Sequence, residues 1–173
     1  IRPGLHGVRF ALPFALDHVH VWLAQGDDGW TVIDTGLADA QTRERWEGLR
    51  QGLLAGEPIT RVVVTHYHPD HVGGDMAGYS IAGVAELLRL RPVPIHVQAD
   101  EAEWVKRVTG ADDSDLVTHA SGDVVPAGAI PIELIHTPGH TPGSQCFLVD
   151  NRLVAGDTLF LEGCGRTDLP GGD

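Results

Sequence analysis

Within six residues, His66-Tyr67-His68-Pro69-Asp70-His71 collects three imidazoles and a carboxylate. Neutral imidazoles and carboxylates are the ligands a zinc-type ion accepts. Four of them this close point to two neighbouring metals rather than one. The bland alternative is a chance cluster in a chain of 173 residues with 10 histidines. Against chance stands the position, directly after the apolar, β-branched run Val62-Val63-Val64-Thr65 that reads as a buried strand. Pro69 is expected to keep the segment beyond it out of a regular helix. In that extended stretch His66, His68 and Asp70 would face one side, with His71 turning to another.

Three further places offer metal-site chemistry. Asp34, before Thr35-Gly36 at the end of a strand, reads equally as a carboxylate orienting the His loop or as a turn cap. The run His136-Thr137-Pro138-Gly139-His140-Thr141-Pro142-Gly143-Ser144 is a loop stiffened by two prolines, with His140 at its centre as the ligand candidate. His136, at the strand end, is expected to pack or hydrogen-bond the loop. Asp157 in Gly156-Asp157-Thr158 can reach the same cleft from a strand end and bridge two cations; its structural alternative is a strand-terminating carboxylate. His18 and His20 read as a strand face near the surface, and His6, His96 and His119 as isolated.

The elements that must position these groups alternate. Val19–Ala24 and Trp30–Asp34 read as strands joined by the Asp27-Asp28-Gly29 turn. Gln41–Leu54 carries Trp46, Leu49, Leu53 and Leu54 at helical spacing. The strand Arg61–Thr65 follows, then a helix over Ala82–Leu90 closed by Pro92, and a short strand Ile95–Gln98. A helix runs from an Asp100 cap to about Val108, with Glu103 placed for a capping box. Asp112–Asp115 is an acidic loop. Beyond Gly122 come strands Ile130–Ile135, Gln145–Val149 and Arg152–Ala155, the last two joined at Asp150-Asn151. The pattern predicts a layered α/β fold with its sheets sandwiched between helices.

Composition narrows the class. The length is that of one domain, 1–173, with 42% hydrophobic and 21% charged residues. A formal net charge of −12 argues against nucleic acid as a partner. No apolar run approaches the ~20 residues of a membrane span. Two cysteines make no disulfide framework; Cys146 reads as a buried small hydrophobe, and a cytoplasmic location is expected. The sequence halts at Pro170-Gly171-Gly172-Asp173 in a loop, which suggests a domain incomplete at its C-terminal end.

Together, Asp34-Thr35-Gly36, Thr65 to His71, the loop ending in His140, and Gly156-Asp157 resemble the metallo-β-lactamase superfamily. The resemblance implies an αββα sandwich with the metals in a cleft at one edge. It implies a first metal on His66, His68 and His140, and a second on Asp70 and His71 with Asp157 bridging. The superfamily normally adds a later histidine to the second metal, and no histidine follows residue 140 here. The run Gly163-Cys164-Gly165-Arg166-Thr167-Asp168-Leu169-Pro170-Gly171 resembles the glyoxalase II-like branch and also the persulfide dioxygenases. Within that run Arg166 and Asp168 are expected to pair and lock the loop rather than act directly.

The resemblance implies a hydrolase with two zinc ions sharing a hydroxide that attacks a small-molecule thioester, with Asp70 orienting the nucleophile. Fe2+ or Mn2+ are the alternative metals. The rival reaction is that of an iron persulfide dioxygenase using His66, His140 and Asp157. A non-catalytic fragment is the third reading.

Overall fold

A computed structural model describes residues 4–12, 17–36, 40–76, 78–169 and 171–172. The larger sheet contains β1 (Leu5–Ala11), β2 (His18–Gly26), β3 (Gly29–Ile33) and β4 (Ile59–Val63). Outside it lies a small hairpin of β5 (Gly74–Met76) and β6 (Tyr79–Ile81). The sheet is completed by β7 (Ile95–Gln98) and β8 (Leu116–His119), in the order β1-β2-β3-β4-β7-β8. β1, β2 and β3 are antiparallel neighbours, whereas β3, β4, β7 and β8 run parallel. A second, antiparallel sheet has β9 (Val124–Ala127), β10 (Ile130–His136), β11 (Gln145–Val149) and β12 (Arg152–Val154). A last hairpin pairs β13 (Leu159–Phe160) with β14 (Gly163–Cys164).

The two large sheets pack face to face. Ile33 and Val63 of the first sheet meet Ile132, Leu134, Phe147 and Val149 of the second in one buried cluster. In β10 inward and outward residues alternate as in a strand with one buried face, whereas β3 is buried along its whole length because both its faces are covered. The first sheet's other face is covered by α1 (Ala40–Gln51), the one-turn α2 (Pro69–Val72), α3 (Val84–Leu90) and α4 (Ala102–Thr109). Trp46, Leu49, Leu53 and Leu54 pack there as their spacing predicts, although the helix stops at Gln51 and a turn delivers the last two leucines. On the outer face of the second sheet Val124, Leu148 and Leu153 are exposed, with no helix of the described residues over them. Among the described residues these are three layers, α-β-β, of the αββα sandwich expected.

Several local expectations are corrected. Pro69 does not exclude a helix: it occupies the first helical position of α2, where its missing N–H costs no bond and its fixed φ suits the turn. Asp70 therefore sits on a helical turn and not in an extended row with His66 and His68. The capping box at Asp100 does not form. The chain enters α4 through a 3-10 turn, Ala99–Glu101, whose cap is the Gln98 side chain accepting from the Asp100 N–H. Glu103 instead pairs with Lys106. The β11–β12 turn is as expected, with Asp150 and Asn151 both at positive φ. Strand β9 carries Pro126 and was not anticipated; it lies at a sheet edge, where proline is tolerated.

Candidate metal centre

The site forms where strands end. In the parallel part of the first sheet, β3 leads into Asp34, β4 into His66, and β7 into Glu101. In the second sheet β10 leads into the loop carrying His140, and β12 into the 3-10 turn of Asp157. Carboxyl ends of strands are the usual place for such a cleft in α/β folds. Gln145 ties the two sheets together at this edge. Its side-chain amide donates to the Val64 carbonyl at 2.8 Å, and its backbone N–H donates to the Thr65 carbonyl at 3.0 Å.

Three imidazole nitrogens converge. His68 Nδ1 lies 3.1 Å from His66 Nε2 and 3.0 Å from His140 Nε2. Nitrogens bound tetrahedrally to one zinc, at about 2.05 Å each, would sit roughly 3.3 Å apart. A second group, His66, His71 and Asp157, likewise has ligand atoms within 4.8 Å of one another. His71 Nε2 is 3.3 Å from Asp157 Oδ1 and 3.9 Å from Asp70 Oδ2. Asp157 Oδ2 is 3.7 Å from His140 Nε2, so the carboxylate stands between the two groups.

The hydrogen bonds behind the rings decide which nitrogen faces inward. Asp34 Oδ2 accepts from His71 Nδ1 at 2.8 Å and from the Thr65 hydroxyl at 2.7 Å, while Oδ1 accepts from the Thr65 N–H at 2.8 Å. With its own proton on Asp34, Thr65 Oγ1 accepts from His66 Nδ1 at 3.1 Å. His140 Nδ1 donates to the Arg166 carbonyl at 2.7 Å. Each of these rings therefore turns the lone pair of Nε2 toward the centre. Asp34, read from sequence as either orienter or turn cap, is the orienter; its φ of 60° also turns the chain.

Charge in the cleft follows burial and neighbours. Burial pushes the His66 pKa well below 6.5, and the adjoining imidazoles of His71, His68 and His140 add to it. Burial, with His140, takes His68 down to about 4. His71 goes the other way: burial opposes its charged form, but the Asp34 and Asp157 carboxylates outweigh burial and hold its pKa well above 6.5. Burial also pushes Asp157 up, and His71 and His140 reverse this to leave it below its usual value. His71 Nε2 is buried and makes no hydrogen bond among the described residues. A buried nitrogen facing two carboxylates is satisfied by a cation, either a proton or a metal ion. The residues present thus fit a metal.

The structure brings together all of His66, His68, Asp70, His71, His140 and Asp157. His136 behaves as expected and reaches the Pro142 carbonyl from Nε2 at 2.9 Å. Arg166 and Asp168 form the expected pair, at 2.8 and 2.9 Å, on the exposed face of their loop. That loop does more through its backbone: the Arg166 carbonyl holds the His140 ring, and Gly165 lies against Asp157. Pro170 of the same run is outside the described residues.

Two further arrangements leave no trace in the sequence. His96 and His119, isolated in sequence, meet across β7 and β8 with Nδ1 and Nε2 2.8 Å apart. Glu101, next to Asp100, is buried and accepts from the Tyr67 N–H at 2.7 Å, the Thr141 hydroxyl at 2.8 Å and the Gly143 N–H at 2.7 Å. Burial raises its pKa, against the pull of these three donors.

This fold, with its histidines and carboxylates converging where the strands end, is a metallo-β-lactamase architecture, and comparison with known proteins agrees. The family model of the metallo-beta-lactamase superfamily matches residues 15–173, so the chain belongs to that superfamily. A hydroxyacylglutathione hydrolase of Idiomarina loihiensis is 33% identical over 152 residues, covering 88% of this chain and 51% of the relative. One of Hahella chejuensis is 35% identical over 158 residues, again covering 88% and 51%. The chain spans about half the length of the curated relatives it matches. Among solved structures, a beta-lactamase domain protein from Burkholderia ambifaria superposes with a TM-score of 0.75 at 25% identity, over 96% of this chain and 58% of that one. No helix among the described residues is long and apolar enough to cross a membrane.

Proposed function

We propose that the chain is the metal-binding part of a dinuclear hydrolase acting on a small-molecule thioester. The observation that carries this is the convergence of His66 Nε2, His68 Nδ1 and His140 Nε2 beside a second set reaching from His71 to Asp157. His66, His68 and His140 would hold one metal; Asp70 and His71 would hold the other, with Asp157 shared. Bound cations of this type polarise a carbonyl and bring the pKa of water to about 7.

The protein's own groups do the rest. Asp34, Thr65 and the Arg166 carbonyl keep His71, His66 and His140, respectively, in the ligating tautomer. Asp70, on the α2 turn beside His71 Nε2, would orient the attacking water and take up its proton. A thiolate leaving group, whose thiol has a pKa of about 8.5, departs without a strong acid. That suits a cleft whose ionisable side chains are engaged as ligands. The hydroxyacylglutathione hydrolases that the chain resembles are named for such a thioester, which supports the substrate class.

The test is hydrolysis by the metal-loaded protein across a panel of glutathione thioesters, lactones and phosphodiesters, with and without chelator. Thioester turnover that chelation abolishes and zinc or manganese restores is expected; a metal-replete protein inert on the whole panel refutes the proposal. The rival reading, a single iron on His66, His140 and Asp157, has in its favour the 3.7 Å approach of His140 to Asp157. It leaves His68 Nδ1 unused at 3.0 Å from His140. Oxygen uptake with glutathione persulfide by iron-loaded protein would decide for it.

A further inference from the structure

We infer that Glu101 is a positioning residue that sets the spacing of the first metal's three histidines by clamping together the two loops that carry them. The inference rests on the metal-centre reading above and goes beyond it in assigning a role to a group that is no ligand. The donors to Glu101 come from both loops. Tyr67, whose N–H donates to it, lies between His66 and His68; Thr141 directly follows His140, and Gly143 lies two residues beyond Thr141. The carboxylate is divided between them, with Oε1 taking Tyr67 and Thr141 and Oε2 taking Gly143.

All three partners are donors, so only a group that accepts on both oxygens satisfies them. Glu101 is 1% exposed, so water cannot substitute. The packing is equally specific. A Cβ at Gly143 would stand 2.5 Å from the Glu101 nitrogen and 2.6 Å from Oε2, so glycine is needed for the loop to come this close.

The consequence is selective. The His68–His140 approach of 3.0 Å spans the two clamped loops. His71 hangs instead from Asp34 and Thr35: its Nδ1 donates to Asp34, and its carbonyl accepts from the Thr35 N–H at 2.7 Å. Loss of the clamp should therefore disturb one metal and spare the other, whereas a general loss of stability would weaken both.

Zinc and cobalt titrations of the full-length protein against a chelating indicator provide the test, together with the cobalt absorption spectrum and melting of the metal-free form. Glu101→Gln puts an amide donor against a donor. It is expected to weaken one binding step by about 10–100-fold, the range for groups that orient metal ligands. The altered step should carry a changed cobalt spectrum, and the other step should match wild type. Thr141→Val removes one donor of the three and should weaken the same step less; it also decides the matter if Glu101→Gln fails to fold. Wild-type affinity in these variants, or an equal loss in both steps that tracks the melting temperature, overturns the inference. A wild-type protein that binds no metal overturns the metal-centre reading and this inference with it.

Discussion

Asp34→Asn exchanges one oxygen for an amide nitrogen at the point where three hydrogen bonds meet. Asparagine has the same shape and tolerates the left-handed backbone at φ 60°, so the effect isolates the carboxylate's accepting power. Both orientations of the amide fail. With the nitrogen at the Oδ1 position it faces the Thr65 N–H, donor against donor. With the nitrogen at Oδ2 it faces the Thr65 hydroxyl and His71 Nδ1–H. His71 then escapes only by moving its proton to Nε2, which turns a hydrogen toward the metal and destroys the ligand.

A buried donor left without an acceptor costs about 1–3 kcal/mol. Asp34 is 2% exposed, so the full range applies and the metal-free protein should lose about 2 kcal/mol. Metal affinity should fall by about 10–100-fold. Because Asp34 reaches His71 directly and His66 through Thr65, both metal sites should weaken, in contrast to the selective effect expected at Glu101. Denaturant unfolding and chelator competition read the two quantities separately. An Asp34→Asn protein with wild-type affinity at both sites would refute the tautomer argument.

Three other perturbations follow from the same geometry. A Cβ at Gly165 would lie 1.9 Å from the Asp157 carbonyl oxygen and 3.0 Å from His140 Cγ, so Gly165→Ala should displace two of the proposed ligands at once and sharply reduce metal content by elemental analysis. Without metal His71 holds a proton at neutral pH, since its pKa is raised well above 6.5; zinc binding should expel about one proton there, read by calorimetry in buffers of different ionisation enthalpy. His96 is pushed by burial, and by its neighbours His119 and Arg61, from 6.5 to about 4. A folded pKa below the unfolded one gives stability that is present above pH 6.5 and lost as pH falls toward 4. Relative to His96→Gln, wild type should lose about 1–2 kcal/mol over that window, allowing for the partial exposure of the ring. Unfolding curves at pH 7 and pH 4.5 with parallel pH dependence in the two proteins would contradict this.

Residue type and strand-end position marked His66, His68, Asp70, His71, His140 and Asp157 in the sequence, because a ligand's chemistry is local to its side chain. The alternation of strands and amphipathic helices likewise marked the layers, since burial periodicity is written along one element. What the sequence alone could not assign depends on partners far along the chain. Asp34 read equally as cap or orienter until His71, 37 residues on, supplied the contact. Glu101 carried no signal at all, because its donors stand 34, 40 and 42 residues away. Pro69 reads as a helix breaker in the sequence, yet its position makes it a helix starter, a distinction set by where the turn begins. His96 and His119 became a pair only when parallel strands set them side by side. The sequence by itself determined which atoms are able to bind a metal. Tertiary structure decided which of their nitrogens face inward and what holds them there, because tautomer and spacing follow from hydrogen bonds between segments that only folding brings together.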